Sequence, residues 1–106
     1  MIEITSPITG ERIQVGLNDF EKEMNWDEAS QACKDIGNGW RLPTKLELEV
    51  MYKELYKKGV GNFKVSDYWS STNCIDDHMW GFYFDEGCAE NIAKIEEIRV
   101  RAVRSI

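Results

Sequence analysis

Two copies of one helix-start signal, set on either side of a short proline-containing stretch, constrain this chain more than any other feature. Asn25 stands three residues before Glu28, and Thr44 three before Glu47. In such a capping box the first side chain accepts from the backbone of the third helical residue, and the glutamate reaches back to the cap's own amide. After Asn25, the residues Trp26, Ala29, Cys33 and Ile36 recur at helical spacing on one face, while Asp27, Glu28, Gln31, Lys34 and Asp35 make a polar face. Gly37 supplies the left-handed residue that ends this first helix. After Thr44, the stripe Leu48, Met51, Tyr52 and Leu55 predicts a second helix, closed by Gly59 and Gly61.

Between the helices, the stretch GWRLPT reads as the corner that sets the fold. Gly39 turns the chain, Trp40 and Leu42 are expected in the core, Pro43 stiffens the entry and Thr44 caps. Arg41 is expected to be partly buried, so it requires a carboxylate or several carbonyls, because an unpaired buried guanidinium is very costly.

Outside the helices the period is that of strands. Ile2 to Thr5 and Arg12 to Val15 read as two short strands around a turn with Pro7 and Gly10. The segments DYWSST and MWGFYFDEG alternate, with Trp80, Phe82 and Phe84 on one face and Met79, Tyr83 and Asp85 on the other. Trp69, Phe82 and Phe84 are expected in the core. CAENIAKIEEI reads as a loop or short helix, and RVRAVRS as a closing strand with Val100 and Ala102 on one face. Strands at both chain ends meet in one sheet, which gives an α+β domain with two helices packed on a mostly antiparallel sheet. With 106 residues, the chain fits a single domain, 1–106.

Charge narrows the partners. Thirteen Lys and Arg against nineteen Asp and Glu leave a formal charge of -6, with no basic run to follow a phosphate backbone, so nucleic acid is not an expected partner. No window is apolar for long enough to span a membrane. The start lacks a signal peptide, so the chain as written is expected in the cytoplasm, or secreted or at a surface if a leader was removed. A monomer is favoured, with oligomeric state open. Cys33, Cys74 and Cys88 are expected as reduced thiols, and a Cys74–Cys88 disulfide would need partners several residues out of register.

Taken in order, NWDEASQACKDIG, NGWRLPTKLELEVMY, YWSST, WGFYFDEG and the terminal VRAVRS resemble the Fibrobacter-type major-paralogue family and its neighbours of unassigned function. The resemblance runs from about Thr5 to the end. It implies a C-type-lectin-like fold in which the chain ends share a sheet, two helices flank it, and the later half forms a second small sheet with exposed loops. Related folds include phage receptor-binding proteins, which bind partners through that later half, and formylglycine-generating enzymes.

The residues favour binding over chemistry. Calcium-dependent sugar binding needs several oxygen ligands on one loop, commonly with a proline, and the only prolines are Pro7 and Pro43. Asp76 and Asp77 beside His78 read as a solvated acidic loop, so no metal and no cofactor are expected. Ser70, Ser71 and Thr72 are expected to bond nearby backbone, and His78 has no orienting partner for a thiol. The expectation is a calcium-independent, non-enzymatic module for a protein or glycan ligand, using Asn73, Ile75, Asp76, Asp77 and His78 with Glu86, Glu90 and Asn91. The alternative is a structural or regulatory subunit acting by self-association or docking. An enzyme built on Cys74 and Cys88 ranks third.

Overall fold

A computed structural model describes residues 1–106. The chain runs β1 (Ile2–Thr5), β2 (Arg12–Val15), α1 (Trp26–Asp35), α2 (Lys45–Glu54), a 3-10 turn (Tyr56–Lys58), β3 (Asp67–Asn73), β4 (His78–Tyr83), β5 (Cys88–Ala93) and β6 (Val103–Ser105). Both capping boxes form. Asn25 Oδ1 accepts from the Glu28 amide at 3.0 Å and Glu28 Oε1 from the Asn25 amide at 3.2 Å. Thr44 and Glu47 repeat the exchange at 3.1 and 2.8 Å.

Two three-stranded antiparallel sheets result, ordered β1-β2-β6 and β3-β4-β5. In the first, Ile4 faces Ile13 and Val15 faces Val103, all buried. The chain ends therefore do share a sheet, with β2 between them.

Strands β3 and β4 of the second sheet bury residues on both faces, because neighbouring strand residues point oppositely, while β5 has no fully buried residue. Tyr68, Phe82 and Phe84 join Ile13, Leu48 and Met51 in one cluster, closed by α2 and the first sheet. Trp69 and Met79 join Ala29, Cys33, Ile98 and Val100 in the other, closed by α1. Phe84 lies 4.8 Å from Tyr68 and 5.0 Å from Phe63, ring centre to ring centre, so the first cluster is largely aromatic. Each such side chain taken from water contributes about 1.5–3 kcal/mol. The expected core positions Trp69, Phe82 and Phe84 are all buried.

Four expectations are corrected. CAENIAKIEEI is neither loop nor helix at its start, since Cys88–Ala93 pairs residue for residue with Tyr83–His78. The partner strand overrides helix-favouring Ala and Glu. The closing strand is only Val103–Ser105, because the residues before it divide their backbone bonds: Val100 and Ala102 accept from Phe20 and Gly16, and Arg99 accepts from Trp69. Met79 is buried while Trp80, on the face assigned to the core, is half-buried under the Lys45 ammonium at 4.1 Å. Finally, Ile36 caps α1 and is 48% exposed, and Trp40 is only half-buried rather than in the core.

Candidate functional site

The residues singled out after YWSST occupy one strand end, one turn and one outer strand. Asn73 ends β3, and Cys74 to Asp77 form the turn into β4, with Asp76 in the left-handed region at φ 47°. The His78 amide donates to Ile75 O at 3.0 Å and closes that turn. Lys94 donates to Asp77 O at 2.8 Å, which ties the exit of β5 to the same place. Asn73, Ile75, Asp76 and Asp77 are exposed, Ile75 at 65%. Asn91, also exposed, sits opposite Trp80.

Glu86 is not with them. It lies in the turn from β4 to β5, at the other end of a six-residue strand, about 20 Å away. Glu90 is between, opposite Gly81. The loops rim one sheet but do not form one surface. Glu86 and Glu90 instead join Asp67 and Asp85. Partial burial and the neighbouring Asp67 carboxylate hold the Glu90 carboxyl above the usual carboxylate range. Asp67 Oδ1 is buried and meets no protein donor. Asp85, partial burial and the carboxylates of Asp67, Glu86 and Glu90 raise the Tyr83 phenol.

The hydroxyl candidates are occupied, and two of the three thiols are raised. The Ser70 hydroxyl donates to Trp80 O and accepts from the Thr72 amide. Thr72 Oγ1 accepts from Lys45, and Ser71 Oγ donates to Pro43 O, so YWSST bonds backbone as expected. Burial pushes the Cys33 thiol up to about 12. Partial desolvation and the charges of Glu86, Glu90 and Asp67 raise the Cys88 thiol. Cys74 and Cys88 sit at opposite ends of β4, and His78 Nδ1 is buried without a partner.

The GWRLPT corner has the carboxylate its arginine requires. Arg41 holds Glu47 through both guanidinium nitrogens, at 2.7 and 3.0 Å, so the residue that completes the second capping box also neutralises Arg41. Pro43 is fully buried and Thr44 caps. A second arginine is buried more deeply. Arg101, with 0% of its side chain exposed, meets Asp19 at 2.8 Å, donates to the carbonyls of Gly16, Gly61 and Asn62, and lies 4.0 Å from the centre of the Phe63 ring. Asp19 also accepts from the Tyr68 hydroxyl at 2.7 Å. The available signal was an arginine between apolar residues in VRAVR, where only a paired charge can sit.

A family model for the Lcl C-terminal domain matches residues 9–104. The chain belongs to the Lcl C-terminal domain family. That match spans both capping boxes, GWRLPT, YWSST and VRAVR, the motifs that carried the resemblance. No curated protein matches this Lcl C-terminal domain. Among solved structures, it is similar to a chain of "The von Willebrand Factor mutant (I546V) A1 domain-botrocetin Complex", at 12% identity, covering 95% of each chain with a TM-score of 0.60. At that identity the likeness is one of fold, a compact α+β domain.

Proposed function

We propose that this Lcl C-terminal domain is a non-enzymatic, calcium-independent binding module of C-type-lectin-like architecture, for a protein or glycan ligand, working through the turn after YWSST. The observation that carries this reading is the Asn73–Asp77 turn: an exposed set of apolar, amide and acidic groups between β3 and β4, two strands anchored in the core. Recognition commonly sits on such loops held by a rigid scaffold. The ordered motifs support the lectin-like and Fibrobacter-type kinship. The matched solved structure is, by its title, a complex of two proteins. Occupied hydroxyls and raised thiols weigh against covalent chemistry.

A glycan array and a protein pull-down, each run with and without chelator, test this. Binding that survives chelator and falls at least about tenfold, or 1.4 kcal/mol, in an Ile75→Ala, Asp76→Ala, Asp77→Ala variant is the expected result. Affinity unchanged in that variant would move the site elsewhere.

A further inference from the structure

The outer edge of β5 is an unfinished ladder. The Lys94 amide donates to Asp77 O at 2.8 Å, and the register carries that pairing on through Ile92 with Met79, Glu90 with Gly81 and Cys88 with Tyr83. Successive residues of a strand in an antiparallel sheet bond to opposite sides. Ala89, Asn91 and Ala93 therefore turn their amides and carbonyls away from β4, and β5 is the last strand of its sheet. Only one of these groups meets another part of the chain, Ala93 O, which accepts from the Glu96 amide at 3.0 Å. The outer strands of the first sheet are shorter, four and three residues against six. Such a row of free donors and acceptors at strand spacing is a template for another extended backbone.

The side chains of β5 say which backbone fits. Exposed edges are commonly guarded by charges that would repel across a new pair, and here they would not meet. An antiparallel pairing of β5 with itself that uses all three outward residues is centred on Asn91. Ala89 then faces the second copy's Ala93, Asn91 faces its own counterpart, and Glu90 faces the second copy's Ile92. Small residues at both ends and an amide pair in the middle let the backbones approach, and no like charges stand directly opposite. Lys94 of the second copy falls opposite Cys88 and diagonal to Glu90, close to the turn that holds Glu86. That is the acidic end of the sheet: none of the chain's own ion pairs involves Asp67, Asp85, Glu86 or Glu90.

We infer that the β5 edge is a two-fold interface: two copies of this domain pair their β5 strands antiparallel about Asn91, joining two three-stranded sheets into one, with Lys94 of each copy beside the carboxylates of the other. The domain is then a dimer, where the sequence favoured a monomer. The backbone ladder supplies the attraction, and the exchange of Lys94 and Glu90 fixes the partner and the register.

Sedimentation of the purified domain over a dilution series, paired with amide hydrogen exchange, tests the assignment. Reversible dimerisation is expected within the range up to about 1 mM, with protection of the Ala89, Asn91 and Ala93 amides that grows with concentration. Asn91→Pro removes an outward amide and no bond to β4, so it should weaken pairing at least about tenfold. Lys94→Glu should weaken it as well, and Glu90→Lys added to Lys94→Glu should restore it, which damage to the fold alone would not allow. A strict monomer at about 1 mM, a dimer in which those three amides exchange as fast as in dilute solution, or a charge swap that fails to restore pairing would each overturn the assignment.

Discussion

Two arginines with different surroundings set different stakes. Arg101 is wholly enclosed and Asp19 is 8% exposed, so Asp19→Ala would leave a buried guanidinium with carbonyls but no counter-charge. Removing one partner of such a pair costs about 3–5 kcal/mol, read as a lower urea midpoint. Arg41 is 34% exposed, and water can replace part of what Glu47 gives it. Arg41→Ala should cost less, about 1–3 kcal/mol, mainly by stranding the buried Glu47. A loss at Arg41 equal to that at Asp19 would contradict this ranking. Glu90 acts in the opposite sense. Its carboxyl is raised in the fold, so it contributes stability that is fully present below its unfolded value and is lost as pH rises through the folded one. Glu90→Gln, which removes the carboxylate charge beside Asp67 at every pH, should raise Tm at pH 7.5, with the gain shrinking toward pH 4. A gain that grew on acidification would refute the raised carboxyl.

At the scale of elements, legibility followed the reach of the interactions. Both helix starts were readable because each capping box closes within four residues, and β1 and β2 because their apolar alternation is local. β5 was not, since Ala89, Glu90 and Ala93 carry no strand preference and acquire their state from β4. The same applies to Ile36 and Trp40: spacing marked them as apolar, but only the packed structure shows the groove between them. Of the candidate site, the turn around Ile75 to Asp77 was legible, whereas the separation of Glu86 from it depends on which end of β4 each loop occupies. The turn into β5 depends on Gly87, which sits at φ 70° with the Tyr52 ring where a Cβ would be. Gly87→Ala should cost about 1–3 kcal/mol from backbone strain, and adding Tyr52→Ala should not restore it, since the ring accounts only for the clash. Full recovery in the double variant would place the cost in packing instead.

At the scale of the molecule, β3 and β4 join two apolar clusters, and the other sheet gathers the chain ends. β1 and β6 both run antiparallel to β2, and therefore parallel to each other. Met1 enters at the edge where Ile2 faces Val15, while Ile106 leaves at the opposite edge, donating to Arg12 O at 3.1 Å. Tension applied between Met1 and Ile106 is directed along the strands, perpendicular to the ladder bonds. Those bonds then share the load in shear instead of opening one by one. Single-molecule stretching through the two ends should give one sharp rupture, and a gradual low-force extension would rule this out. The arrangement that closes the core thus also sets the direction in which the fold resists tension.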